Sequence, residues 1–294
     1  MIQVSVCVIT YNHEKFIAKA LDSILQQKTN FQFEIVVGED FSSDKTRTIV
    51  QNYIMMYPGI IRFNGATNNL GIIPNLIFTL NKCRGKYIAI CDGDDYWIGT
   101  QKLQKQFDVL ESNPNYCMCV HRHIIKKNNN LRKIDLRENK SQTVLNIRDV
   151  LLKVNFHTSS FFFPSKYVNF LPAWYEKVYG GDQFLTFCIS KDGDGIYFIE
   201  DFMSVYNINS GSISHNSNSQ DVLKNTILYL KYFDKFSEYK YSQLINKRIL
   251  IETLLMSVFF EKRKNRILLF FNNIFFIFKN LRLFPLSYYY RTFF

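Results

Sequence analysis

Short apolar runs alternate with stretches of helical apolar spacing through the first hundred residues, and this alternation predicts parallel strands joined by helices. Val4 to Thr10 reads as a buried strand, followed by a helix over Glu14 to Gln27 with Phe16, Ala20, Leu21, Ile24 and Leu25 on its inner face. Glu34 to Val37 is the second strand and ends at Gly38-Glu39-Asp40. Ser42-Ser43-Asp44 offers a cap to a helix over Thr46 to Met56, which Pro58-Gly59 stops. A strand over Ile60 to Phe63, a loop at Asn68-Asn69-Leu70-Gly71, and a helix over Pro74 to Cys83 follow. Tyr87 to Cys91 is a fourth strand, and it runs straight into Asp92-Gly93-Asp94-Asp95.

In open α/β sheets, ligands bind beyond the carboxyl ends of the strands. Three of these ends carry polar groups suited to a ligand: Thr10-Tyr11-Asn12, Glu39-Asp40 and Asp92-Gly93-Asp94-Asp95. Three carboxylates within four residues repel one another, and a divalent cation relieves that repulsion. Mn2+ and Mg2+ favour carboxylate together with phosphate oxygens, which makes a nucleotide diphosphate a natural co-ligand. The plain alternative is a polar turn in which Asp95 caps the next helix.

Length and charge narrow the classes. A chain of 294 residues suits one large domain, or a catalytic domain with an appendix. Its 47% hydrophobic content excludes a disordered chain, and a formal charge of +11 points to an anionic partner: nucleic acid, anionic lipid or a phosphorylated ligand. Six scattered cysteines lack paired spacing, which predicts buried thiols in a reducing compartment; Cys117-Met118-Cys119 alternates like a strand and lacks the gap of a zinc knuckle. The chain opens directly into a strand, with no secretion signal expected, and no run of ~18 apolar residues predicts a membrane span.

In order, Val6-Cys7-Val8-Ile9-Thr10-Tyr11-Asn12, Glu39-Asp40-Phe41-Ser42-Ser43-Asp44, Asn68-Asn69-Leu70-Gly71, Arg84-Gly85-Lys86-Tyr87-Ile88 and Asp92-Gly93-Asp94-Asp95-Tyr96-Trp97 resemble a family 2 glycosyltransferase of GT-A fold, of the kind that builds bacterial surface polysaccharides. The match is dense over about 110 residues and thinner to about residue 215. The resemblance implies a Rossmann-like, mainly parallel sheet with flanking helices. It divides the chain into a catalytic domain over 1–215, with a nucleotide-sugar half to about 115 and an acceptor half over about 116–215, and a helical C-terminal extension over 216–294. It further implies inverting transfer of a sugar from a nucleotide diphosphate, expected to be UDP, to a glycan or lipid-linked acceptor in capsule or lipopolysaccharide synthesis.

Carried over residue by residue, the resemblance assigns Thr10, Tyr11 and Asn12 to the nucleoside, Asp40 to the base edge, Asn68 and Gly93 to the donor pocket and Asp92 to the ribose. Asp94 is the expected metal ligand, with Asp92 and His215 as further candidates. An inverting reaction needs a base for the acceptor hydroxyl. Gly180-Gly181-Asp182-Gln183, before a helical Phe184 to Ile189, resembles the family's acidic motif and nominates Asp182; a helix cap is the alternative. His157-Thr158-Ser159-Ser160 is expected as an exposed polar end to the buried Phe161-Phe162-Phe163-Pro164, with His157 and Ser159 joining Asp95, Trp97 and Gly181 on the acceptor side. One departure stands out: where relatives carry Arg and His after the last strand, this chain has Asn207 and Asn209, which puts metal coordination from that loop in doubt.

Other signals take plainer readings. Asp192-Gly193-Asp194-Gly195 lacks the later ligands of a calcium loop and reads as a hairpin turn; Lys126 to Asn130 is a solvated loop; His121 and His123 are surface or hydrogen-bonded strand histidines. From about Ser217 the chain turns helical, then basic and aromatic, with Lys262-Arg263-Lys264, Arg266, Lys279, Arg282 and Arg291 beside Phe-rich runs and no acid after Glu261. That pattern predicts a peripheral position on an anionic membrane at the inner face of the cell membrane, the alternatives being packing on the catalytic domain or a homodimer contact. A catalytically silent relative, a haloacid-dehalogenase-type phosphatase, for which Asp95-Tyr96-Trp97 is the wrong continuation, and a nucleic-acid-binding protein, for which no motif is present, are the rival functions.

Overall fold

The computed structural model describes residues 1–128, 130–133, 142–152, 156–178, 181–192, 195–209 and 219–260. The nucleotide half follows the apolar pattern: β1 (Val4–Thr10), α1 (Ile17–Leu25), β2 (Phe33–Glu39), α2 (Thr46–Met56), β3 (Ile61–Gly65), α3 (Ile72–Leu80) and β4 (Tyr87–Asp92). Beyond it come β5 (Tyr96–Trp97), α4 (Lys102–Ser112), β6 (Tyr116–Lys127), β7 (Asn130–Lys133), β8 (Val144–Leu145), α5 (Ile147–Leu152), β9 (Phe162–Pro164), α6 (Gly181–Ser190) and β10 (Gly195–Ile208). Two helices close the described chain, α7 (Ser219–Phe236) and α8 (Ser242–Phe260).

The strands form one sheet in the order β3-β2-β1-β4-β9-β6-β10-β5, with β7 on β6 and β8 on β10. β1 to β4 pair in parallel, β9 is antiparallel to β4 and β6, and β6 and β10 are again parallel. The result is a mixed, mostly parallel sheet with flanking helices, as the family resemblance implies. Chain order reverses between β2-β1 and β1-β4, so a crevice opens above the carboxyl ends of β1 and β4.

Both faces of the sheet are covered, which is why β1 is buried along its length. Val4, Val6 and Val8 pack with Ile17, Leu21 and Ile24 of α1 and Leu103 and Leu110 of α4. Cys7 and Ile9 point the other way, into a cluster with Leu76, Ile88, Phe184 and Phe187. At the end of the sheet remote from the crevice, the buried Glu34 accepts hydrogen bonds from Ser5 Oγ (2.7 Å), Arg84 Nη2 (2.7 Å) and Arg62 Nη1 (3.0 Å). Burial alone would raise the Glu34 pKa, but the bonds from Arg84, Ser5 and Arg62 outweigh it and hold the carboxyl below its ordinary value.

Several boundaries differ from the sequence reading. The helix expected from Pro74 starts at Ile72, because Gly71, at φ 89°, turns the chain into it, and Pro74 within the first turn sacrifices no helical N–H bond. The hairpin expected at Asp192 to Gly195 falls partly outside the described residues, between α6 and β10. Of the two readings for His121 and His123, surface or hydrogen-bonded, the first fails because β6 lies inside the sheet and buries both, and His121 meets the second, its Nδ1 lying 2.8 Å from Arg122 O.

The boundary expected at 215 is crossed by the core. Tyr229, Leu230 and Phe233 of α7 and Ile245 of α8 belong to the same cluster as Ile88, Phe184 and Phe187. Arg248, buried in α8, donates to Leu151 O at the end of α5 (2.8 Å) and to Glu252 (2.6 Å). The basic residues from Lys262 onward lie outside the described residues. No described helix is long and apolar enough to cross a membrane. Because Phe233 is fully buried between the extension and the catalytic layer, Phe233→Ala is expected to cost about 3–5 kcal/mol of unfolding free energy. Denaturant titration checks it, and a loss below about 1 kcal/mol would mean that the extension is only loosely attached.

Candidate active site

The end of β1 is tied to the loop after β2. Asn12 N donates to Ser42 Oγ (3.0 Å), and Ser43 N donates to Asn12 Oδ1 (2.9 Å). Asn12 (φ 54°) and Phe41 (φ 61°) both adopt the left-handed conformation, a cost of about 1–2 kcal/mol per residue that such cross-ties sustain. Tyr11 stands exposed beside them, whereas Thr10 is buried. Asp40 is buried too: its two oxygens accept from Leu70 N (2.7 Å) and Gly71 N (2.9 Å). Burial raises its pKa, Leu70 and Gly71 oppose that rise, and Glu39 adds to it. Asp40 thus holds the loop carrying the exposed Asn68.

The acidic turn after β4 is pinned by a different partner at each carboxylate. Gly93 N donates to Ile9 O (2.8 Å), and a Cβ on Gly93 would lie 2.6 Å from Thr10 Oγ1, so only glycine lets the turn lie against β1. Asp92 Oδ2 accepts from Thr158 Oγ1 (2.6 Å). Asp94 Oδ2 accepts from Asn209 Nδ2 (2.8 Å) and lies 3.9 Å from His13 Nε2. Asp95 Oδ1 accepts from Asn207 N (2.9 Å), and its Oδ2 lies 3.4 Å from His157 Nδ1.

These contacts revise several assignments. The segment from His157 is not an exposed strand end: Thr158–Ser160 form a buried 3-10 turn capped by His157. Ser159 donates or accepts with Ser204 Oγ (2.9 Å), and its carbonyl accepts from Trp97 Nε1 (3.2 Å). Trp97 and Ser159 are therefore buried walls beneath the site, their polar atoms spent on neighbouring elements, and Asp95 is buried with them. Asp95 does not cap α4 either, since it is held by Asn207. Gly181 is buried against Ile73, and its carbonyl accepts from Tyr175 OH (3.0 Å). His157 is held uncharged, its pKa driven far down by burial and by His123. His215 lies outside the described residues.

Asp182 falls within the first turn of α6 instead of capping it. Burial raises its pKa, while its own N–H and that of Thr158 oppose the rise. Thr158 thus bears on two carboxylates: its hydroxyl bonds to Asp92, and its backbone N–H opposes the raised pKa of Asp182. Sequence reasoning passed over Thr158 and His13. Only the place of His13, three residues after Thr10 on a strand end already suspected, hinted at it. Asn209, flagged as a departure, reaches Asp94 all the same.

The donor set fits a divalent cation. Ligand atoms of Asp92, Asp95 and His157 lie within 4.8 Å of one another, and the buried Asp95 Oδ2 has no hydrogen-bond partner. Burial and the charges of Asp94 and Asp182, against the opposing Thr158 hydroxyl, push the Asp92 pKa up to about 7, the signature of carboxylates short of positive charge.

The sequence model described as Glycosyl transferase family 2 matches residues 5–169, more than half of the chain. The chain belongs to glycosyl transferase family 2. Among family relatives, dTDP-rhamnosyl transferase RfbG of Shigella flexneri is 31% identical over 112 residues, covering 37% of this chain and 38% of that protein. An uncharacterized protein of Mycobacterium tuberculosis is 38% identical over 117 residues, 40% of this chain and 34% of that one. These matches span about a third of the relatives' length. The fold extends further: TarS residues 1–349 of S. aureus, in complex with UDP-GlcNAc, superposes with TM-score 0.69 at 16% identity over 90% of this chain and 78% of that one. The mannosyltransferase PcManGT of Pyrobaculum calidifontis, with GDP-Man and Mn2+, gives 0.61 at 18% identity over 95% and 82%.

A carboxyl that keeps its proton to higher pH when folded than when unfolded stabilises at low pH and loses that stabilisation as pH rises through its folded pKa. Without divalent cation, the family 2 chain is thus expected to lose stability between the ordinary carboxylate range near ~4 and the Asp92 value of about 7. Asp92→Asn removes the titration, so its melting temperature relative to the wild type should climb from about pH 5 to about pH 8. A constant difference across that range would refute the assignment.

Proposed function

We propose that the protein is an inverting glycosyltransferase that moves a sugar from a nucleotide diphosphate, UDP by preference, to a hydroxyl of a glycan or lipid-linked glycan in surface-polysaccharide synthesis. The observation that supports the proposal is the acidic turn after β4, where Thr158 holds Asp92 and where the charges of Asp94 and Asp182 both act on Asp92. The named partners of similar proteins, UDP-GlcNAc for TarS, GDP-Man for PcManGT and dTDP-rhamnose chemistry for RfbG, support a nucleotide sugar as donor class.

The residues divide the work. Tyr11 offers an exposed ring at the nucleoside end, and Asn12 keeps the β1 and β2 loops in register beneath it. Asp92 faces the ribose, with its orientation fixed by Thr158. A divalent cation, Mn2+ or Mg2+, held by Asp94 with Asp92 nearby would neutralise charge gathering on the departing diphosphate. On the acceptor side, Asp182 takes the hydroxyl proton onto its carboxylate. Burial makes it a stronger base than an exposed aspartate, and the amino end of α6 with the Thr158 N–H keeps it oriented. His157, held uncharged, adds no competing positive charge to that wall.

A titration of UDP, GDP, dTDP and CMP with Mn2+, read by thermal shift, tests the reading. One diphosphate should raise the melting temperature of the wild type and fail to do so for Asp94→Ala, since binding to the native state stabilises by mass action. Asp182→Asn should keep that shift while turnover falls by about 10²–10⁴-fold. No shift with any nucleotide, or normal turnover in D182N, would overturn the proposal. The basic tail supports a membrane-surface position close to a lipid-linked acceptor, each basic residue near an anionic surface contributing about 1 kcal/mol. The full chain is then expected to float with anionic liposomes and a chain ending at Phe260 to remain below; equal behaviour would remove the membrane from the proposal.

A further inference from the structure

His13 has no role in the scheme above, yet its Nε2 lies 3.9 Å from Asp94 Oδ2. The backbone fixes it between β1 and α1. His13 N donates to Thr46 Oγ1 (2.8 Å), and its carbonyl accepts from Phe16 N and Ile17 N (both 2.9 Å), opening α1. The ring is fixed as well. Nδ1 lies 3.2 Å from Thr10 Oγ1 and packs over Gly93, where a Cβ would come within 2.9 Å of it; Phe16 meets the ring edge-on.

With Nδ1 engaged by Thr10, Nε2 is the atom presented to Asp94 Oδ2, at 3.9 Å. That separation is too long for a hydrogen bond and too short for an intervening water to bridge in line. When Nδ1 carries the ring proton and donates it to Thr10, two lone pairs face each other across this gap, an arrangement that a cation between them relieves. Imidazoles that ligate metals commonly have their other nitrogen hydrogen-bonded in this way, which fixes the tautomer and the ring direction. Asn209, the third group at Asp94, is an amide in a segment that brings no imidazole among the described residues.

We propose that His13 Nε2 and Asp94 Oδ2 jointly hold the donor's divalent cation, so that the nitrogen ligand comes from the turn between β1 and α1. This rests on the transferase reading and adds a ligand to it. The competing arrangement is the Asp92-Asp95-His157 group. There the Asp95 side chain is fully buried and His157 Nδ1, the nitrogen that faces Asp95, is already engaged by Ser159 Oγ at 2.9 Å, whereas His13 Nε2 has no such protein hydroxyl beside it among the described contacts.

The test is Mn2+ binding followed by electron paramagnetic resonance, alone and with UDP, GDP or dTDP, on wild type, His13→Gln, His13→Asn and His157→Gln, with melting temperatures confirming folding. His13→Gln and His13→Asn should each weaken Mn2+ by tenfold or more. In the wild type, spin-echo modulation should show a directly bound imidazole nitrogen that changes on 15N-histidine labelling, persists in His157→Gln and vanishes in His13→Gln. The labelling arm needs no variant to fold. Tight nucleotide-dependent Mn2+ binding with no histidine modulation, or modulation lost only in His157→Gln, overturns the role of His13 and leaves the transferase reading intact. Failure of wild type to bind Mn2+ with any nucleotide overturns both.

Discussion

Three like charges within one turn are the constraint around which the rest of the molecule is arranged. At the end of β4 the chain places Asp92, Asp94 and Asp95 where the sheet and its helices exclude much of the solvent, and burial there drives the Asp92 and Asp95 pKa values up. The fold answers by giving each carboxylate a partner from a different part of the chain: Thr158 for Asp92, Asn209 for Asp94, the Asn207 backbone for Asp95. Those partners come from the 3-10 turn before β9 and from the end of β10. The sheet order explains how they arrive, because β9 pairs with β4, and β10 pairs with the short β5 that directly follows the acidic turn. Hydrogen bonds moderate the repulsion without cancelling it, since all of the donors are neutral; positive charge is what the turn still lacks.

The nucleotide half was legible because its two signals agree. Apolar runs of strand length give β1, β2 and β4, and glycine, proline and capping residues mark where helices stop and start. Asp44 illustrates the agreement: it accepts from Thr46 N (2.9 Å) at the start of α2, as the sequence Ser42-Ser43-Asp44 suggests. The acidic turn was legible as a site for an electrostatic reason that needs no coordinates. Its partners were not, because they depend on which distant segment lands beside it. His157 to Ser160 looks like a polar strand end in one dimension, yet β9 lies between β4 and β6, so the turn before it is pressed into the interior and its hydroxyls bind Asp92 and Ser204. Trp97 misleads in the same way, since its place after the acidic motif suggests the acceptor side, whereas this ring is buried with Lys102 Nζ 4.0 Å from its centre.

The C-terminal extension shows the limit of composition as a guide to boundaries. Its change from mixed to helical and then basic character falls near residue 217, but α7 and α8 fill the same apolar cluster as α6. Trp174 sits among Phe184, Tyr229, Tyr232 and Phe236, with ring centroids about 6 Å apart, and the Tyr229 hydroxyl donates to Lys177 O. Aromatic pairs in such arrangements contribute beyond their buried area. α6 also carries Asp182 on its first turn, so the helices that pack on it help to set where the proposed base points.

That coupling bears on how the chemistry can vary while the fold stays constant. The donor end is built from short loops after parallel strands, cross-tied at Asn12 and Asp40, and a change there disturbs several elements together. The partners of the acidic turn come from later segments, the 3-10 turn and the end of β10. Asn207 and Asn209 occupy a place where the family resemblance leads one to expect arginine and histidine, yet the backbone of one and the amide of the other still reach Asp95 and Asp94. The strand end therefore engages these two carboxylates through a backbone N–H and a neutral amide, while the imidazole beside Asp94 comes from the turn after β1, where His13 is held against Gly93 by Thr10.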